Sequence, residues 1–167
     1  FLPLVDTIPS DFIYAQQHHA CPTVTATSEA AKAAFIKESD MFKDAGIEYI
    51  NTYLYMTEPK LCAKQMFDEW GPKLGLSREE SDRATEEAYK ALDKFTNDMR
   101  RKAREALDQL ERDNKIGIVV LARPYHNDPG LNHEILEEFQ KLAYPVFNQD
   151  ALPTDDDILE RLFGDEV

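Results

Sequence analysis

The chain has 167 residues, 43% of them hydrophobic and 31% charged, with 9 Phe, 7 Tyr and 1 Trp. That balance belongs to a folded, soluble protein, and the length leaves no room for a second full-sized catalytic domain. Lys and Arg number 19 against 32 Asp and Glu, and the resulting net charge of −13 makes nucleic acid and anionic membranes unsuitable partners.

The excess is uneven: residues 150–167 hold seven acids and one base, whereas 114–149 hold four and three. Two cysteines, Cys21 and Cys62, are too few for a disulfide framework and lack CxxC spacing, which points to a reducing compartment. No apolar run approaches the roughly 20 residues of a membrane span, and no basic segment leads into a signal-like core. We therefore expect a cytoplasmic protein. The first residue is Phe rather than Met, so the chain is expected to be a piece excised from a longer one.

In chain order, Phe1 to Ile13 is apolar, with Pro3 and Pro9, and reads as a short extended segment. Thr27 or Ser28 is expected to cap an alanine-rich helix running to about Ser39, with Glu29 in its first turn. Ile47 to Met56 reads as a strand closed by Pro59. A short helix over Leu61 to Trp70 is expected to break at Gly71-Pro72 and Gly75. Ser77-Arg78-Glu79-Glu80 is a capping box. It opens a helix to about Asp113 whose apolar stripe is Ala84, Ala88, Leu92, Phe95, Met99, Ala103, Ala106 and Leu110. At roughly 55 Å this helix must protrude, kink or pack on a partner.

Ile116 to Ala122 is an uninterrupted apolar run, the pattern of a strand buried on both faces of a parallel sheet. A polar loop, a helix from about Asn132 to Leu142 and a strand at Tyr144 to Phe147 complete a βαβ unit. The expected fold is thus α/β: a Rossmann-like parallel sheet with flanking helices plus one long amphipathic helix. Residues 1–153 form a single domain with a helical insertion over 61–113, followed by an acidic tail, 154–167.

Ligands of open α/β sheets bind beyond the carboxyl ends of the strands. The loop there carries Arg123, Tyr125, His126, Asn127, Asp128, Asn132 and His133. Alternatively, Asp128 or Asn132 merely caps the following helix, Pro129-Gly130 makes a turn and the histidines are solvated. His126 and His133, seven apart, match no zinc template. There is no GxGxxG, GxxxxGK[ST] or GxSxG, so nucleotide binding through such loops is not expected.

Two blocks carry a resemblance. Ala20-Cys21-Pro22-Thr23-Val24-Thr25-Ala26-Thr27-Ser28-Glu29 and Leu121-Ala122-Arg123-Pro124-Tyr125-His126-Asn127-Asp128-Pro129-Gly130-Leu131-Asn132-His133 resemble the signature blocks of the acyl-CoA dehydratase activase-related family. Those are large proteins of anaerobes related to activators and subunits of 2-hydroxyglutaryl-CoA dehydratase. The resemblance implies ATPase domains and dehydratase-like regions of a parent chain as partners, together with an acyl-CoA dehydratase, and ATP-driven electron transfer between iron–sulfur clusters. It also implies that Cys21 is an iron–sulfur ligand, a role suited to a soft thiolate. One cysteine cannot hold a four-iron cluster, which takes about four ligands. The fragment alone is therefore expected to carry no cofactor and to be inactive, with a cluster forming only in the full-length protein. The alternative reading is a non-catalytic scaffold whose long helix docks other domains.

Overall fold

Proline sets the first turns of the described chain. The computed structural model describes residues 4–5, 21–122 and 124–164, which divide into two units, Phe1–Lys90 and Ala91–Val167. In the first, Cys21 is extended (ψ 129°) and Pro22 opens α1 (Pro22–Thr25) at its first helical position, where the ring fixes φ and no N–H is missed. Only Ala26 separates α1 from α2 (Thr27–Phe35). The expected Thr27 or Ser28 cap is therefore not made: Ala26 is the N-cap, without a side-chain bond, and Thr27 Oγ1 donates to the Thr23 carbonyl at 2.6 Å. Pro22 has started the helix one turn earlier.

α3 (Met41–Asp44) is capped by Asp40, whose carboxylate accepts from the Lys43 amide at 3.1 Å. The strand expected over 47–56 shrinks to β2 (Tyr53–Leu54), which pairs in parallel with β1 (Leu4–Val5), Leu4 opposite Tyr53 and Val5 opposite Leu54. Tyr49 and Asn51 reach α2 instead of lengthening the sheet. α4 (Pro59–Leu74) runs through the expected break and ends at Gly75, φ 67°. Pro72 falls in its last turn, where its ring removes the helical bond to the Asp68 carbonyl. Gly71 is required there because a Cβ would come within 2.7 Å of the Phe67 ring.

α5 (Arg78–Arg112) starts at the expected capping box. The Glu80 carboxylate accepts from the Ser77 amide at 2.9 Å and the Glu80 amide donates to Ser77 Oγ at 3.2 Å. In the first unit the less exposed face of this helix is Ser81, Thr85 and Tyr89, spaced by four, while Ala84 and Ala88 are exposed. The stripe read from the sequence is therefore not the covered face here. Two of these hydroxyls find carbonyls: Thr85 Oγ1 donates to Ser81 O at 3.0 Å and Tyr89 Oη to Met56 O at 2.8 Å.

In the second unit the stripe is covered only toward its end. Leu92 and Phe95 are exposed, whereas Ala103 and Leu110 join Phe147 in a core flanked by Ala106, Leu107, Ala151 and Leu152. β3 (Ile118–Val120) pairs in parallel with β4 (Val146–Asn148), Val119 opposite Phe147, so the βαβ connection is present. Its crossover is two helices, α6 (Pro129–Asn132) and α7 (Ile135–Lys141), rather than one. β3 is not buried on both faces: Val119 is 42% exposed and the flanking Ile116 and Leu121 are 72% and 79% exposed. Among the described residues the sheets are two-stranded, and a single neighbour covers one edge and part of one face. The described chain is mostly helical.

The acidic segment contains α8 (Asp156–Phe163), which turns Ile158 inward to 8% exposure. Arg104 on α5 pairs with Asp157 at 2.9 Å and Asp155 at 3.4 Å, and Arg161 pairs with Glu111 at 3.2 Å.

Candidate functional site

The Cys21 block lies in the first unit. Cys21 is half-buried at the N-cap of α1, and neither it nor the buried Cys62 forms a disulfide. The block is braced from the segment before β2: Tyr49 Oη donates to the Ser28 carbonyl at 2.6 Å, and Asn51 Nδ2 donates to the Glu29 carboxylate. Desolvation, and secondarily the charge of Glu29, holds the Tyr49 phenol above its ordinary pKa, which keeps it a donor. Lys32 lies 5.8 Å from the Tyr49 ring centroid. Ser28 is 1% exposed, its Oγ without a partner among the described residues. Sequence reasoning missed Tyr49 and Asn51; the spacing of two through Tyr53 and Tyr55 was the available signal.

Cys62 belongs to a separate environment. It is 5% exposed, and the Tyr89 hydroxyl, which donates to Met56 O at 2.8 Å, is raised in pKa by desolvation first and then by the influence of Cys62. That arrangement is structural, as a small buried thiol normally is.

The second block lies in the other unit, beyond the carboxyl end of β3. Arg123 lies outside the described residues, as does the side chain of Tyr125. Pro124–Asn127 forms a 3-10 turn that includes a half-buried His126. Asp128 caps α6, its Oδ1 accepting from the amides of Gly130 at 2.9 Å and Leu131 at 3.2 Å, so this carboxylate is committed to holding the loop. Asn132 is 7% exposed, and neither its Nδ2 nor its Oδ1 has a partner among the described residues. His133 is exposed and left-handed, φ 54°. The loop thus gathers His126, Asn132 and His133 within one turn-helix-turn, with Asp128 as its brace. Asn148, at the carboxyl end of β4 opposite Val120, has a buried Oδ1 without a partner among the described residues; it was not singled out from the sequence.

The second unit also has a groove of about 440 Å³ between α5, the sheet and α8, lined by Leu107, Val119, Phe147, Leu152 and Ile158 among others. Of its charged lining residues, Arg104, Asp108, Glu111 and Arg161 pair with one another or with α8, and Lys115 pairs with Asp113.

No group of three or more His, Cys, Asp and Glu able to hold a metal ion occurs among the described residues. Against the four or so ligands of a cluster, they offer one partly accessible thiolate, and so do not make an iron–sulfur site by themselves. No described helix is long and apolar enough to cross a membrane.

Residues 1–152 match the model of a family described as the CoA enzyme activase uncharacterised domain (DUF2229). The match takes in both blocks and most of the chain, so this protein belongs to that family, and its general role is activase-related. No curated protein and no solved structure matches it.

Proposed function

We propose that this chain is a domain of a longer CoA enzyme activase-related protein, in which Cys21 supplies one ligand to an iron–sulfur centre completed elsewhere. The loop of Arg123, Tyr125, His126, Asp128, Asn132 and His133 contributes to the associated redox or acyl-CoA site. The observation that carries this reading is the family match spanning both signature blocks. The bracing of the Cys21 block by Tyr49 and Asn51 supports it, since a ligand must be held in place. An iron–sulfur centre, once assembled, would supply one-electron transfer; the residues of this chain position and shield it.

On this reading the parallel β3–β4 pair is part of a Rossmann-like sheet continued by other strands, and the exposed apolar residues around β3 support that extension. The partners are the ATPase and dehydratase-like regions of the parent and an acyl-CoA dehydratase, in a reducing cytoplasm consistent with two cysteines outside any disulfide. The test is anaerobic reconstitution of the longer protein with iron and sulfide. Cys21→Ala should lower bound iron; iron content equal to wild type would sink the ligand assignment.

A second reading, a scaffold that docks other domains through its long helix, is favoured by one observation. Ala84, Ala88, Leu92 and Phe95 form an apolar stripe that the described residues leave exposed. Phe95→Glu separates the two: it would abolish domain association in a scaffold and leave the iron content of the parent unchanged if Cys21 is the functional group.

A further inference from the structure

The break between α6 and α7, at His133 and Glu134, falls inside the segment from about Asn132 to Leu142 that the sequence reads as one helix. Asp128 caps α6 and Pro129 follows at the first helical position, a start signal that calls for no early stop. Downstream, Leu131, Ile135, Phe139 and Leu142 recur at steps of four, four and three, the stripe of one amphipathic helix. Yet His133 and Glu134 both sit in the left-handed region, at φ 54° and 61°. Neither is glycine, and each residue so placed is disfavoured by contact of its Cβ with its own backbone. The break also splits the stripe: Leu131, Ile135 and Leu142 are 57%, 54% and 68% exposed. At the same corner the Asn132 carboxamide is buried with neither atom bonded among the described residues, a second unfavourable feature.

We propose that the Asn132–His133–Glu134 corner is a two-state hinge, and that the broken arrangement exchanges with one in which α6 and α7 form a single helix over about 129–141. In the continuous state His133 and Glu134 adopt right-handed helical angles. The amides from His133 to Leu136 then bond to the carbonyls of Pro129 to Asn132. The stripe from Leu131 to Leu142 is aligned on one face. Because His133 and Asn132 end the candidate loop, the exchange moves both together, making the loop's geometry a function of helix continuity. This inference rests on backbone angles and residue spacing and stands apart from the iron–sulfur reading.

Hydrogen exchange over residues 129–142 of the full chain tests it, comparing wild type with Glu134→Gly and Glu134→Val. Glycine removes the left-handed strain and penalises the continuous helix, whereas a β-branched residue is the worst occupant of a left-handed position. The expected results are faster exchange at 133–137 than at 138–141 in wild type, a raised unfolding midpoint in Glu134→Gly, and slowing at 133–137 on the order of tenfold in Glu134→Val. Uniform protection from 131 to 141 in wild type would overturn the proposal. So would equal exchange in the two variants. Should Glu134→Val fail to fold, an unchanged or lowered midpoint in Glu134→Gly overturns it alone.

Discussion

Ala143 occupies a position made for glycine. It follows α7 with φ 64°, and the Tyr144 amide donates back to Phe139 O at 3.1 Å, the six-residue closure that normally places glycine at its left-handed position. The same closure ends α4 at Gly75, where the Leu76 amide donates to Gly71 O at 2.9 Å, and α5 at Asn114, φ 49°. Ala143→Gly should therefore stabilise the chain by about 0.5–1 kcal/mol, because relief of the left-handed strain outweighs the added freedom of the unfolded chain. A thermal melt checks the sign. Gly117 behaves oppositely: a Cβ there would lie 2.7 Å from Leu110 Cδ1 and 2.8 Å from a Phe147 ring carbon. Gly117→Ala should cost about 1–3 kcal/mol, the usual penalty for overpacking a filled core, measured by urea unfolding. At the candidate loop, His126→Ala should leave the melting temperature close to wild type while weakening acyl-CoA or partner binding. A large fall in melting temperature with binding retained would make His126 a structural residue.

Among the elements, α8 has the most condition-dependent attachment. Among its described side chains, Ile158 is an apolar anchor and Asp157 and Arg161 make ion pairs to α5. Asp157 is held below the usual carboxylate pKa by its hydrogen bond from Arg104 and that residue's charge. A depressed folded pKa contributes stability that is complete above the unfolded value, roughly 3.9, and is lost as pH falls through the lower folded value. Docking of α8 should therefore hold at neutral pH and weaken below about pH 4, and it should also loosen in roughly 0.5 M salt, because these pairs face solvent. Protection of the Ile158 amide against exchange reads both effects; protection that is indifferent to salt and acid would leave the apolar contact as the sole anchor. The capping box behind α5 was legible from Ser77 and Glu80 alone because its partners lie three residues apart. The covered face of that helix was not: Ser81, Thr85 and Tyr89 are its less exposed residues, and Tyr89 is held by the Met56 carbonyl, which no local spacing reveals.

Across the whole molecule, what was legible followed the range of the interactions. The β3–β4 connection was readable because an apolar run, a capped helix and a second apolar run are local patterns, and the family emerged from two contiguous blocks. The shortness of β2 was not, because Tyr49 and Asn51 bond to residues more than twenty positions earlier. Nor was the passage of α4 through Gly71-Pro72, where both residues are ordinary helix-stop signals. In the candidate site, His126, Asn132 and His133 were recognisable as a polar loop after a strand, and the reading of Asp128 as a helix cap is borne out by its bonds to Gly130 and Leu131. Tyr49 and Asn148 became visible only once the chain was folded.

The central claim is that Cys21, and not Cys62, is the thiolate this domain gives to an iron–sulfur centre. Their surroundings already differ: Cys21 is partly accessible at a helix start, whereas Cys62 is 5% exposed within α4. The most direct measurement is iron per chain, with the visible absorption spectrum, for the anaerobically reconstituted longer protein as wild type, Cys21→Ala and Cys62→Ala. The account predicts that Cys21→Ala loses iron and visible absorbance while Cys62→Ala keeps both. Full iron and an unchanged spectrum in Cys21→Ala would contradict it.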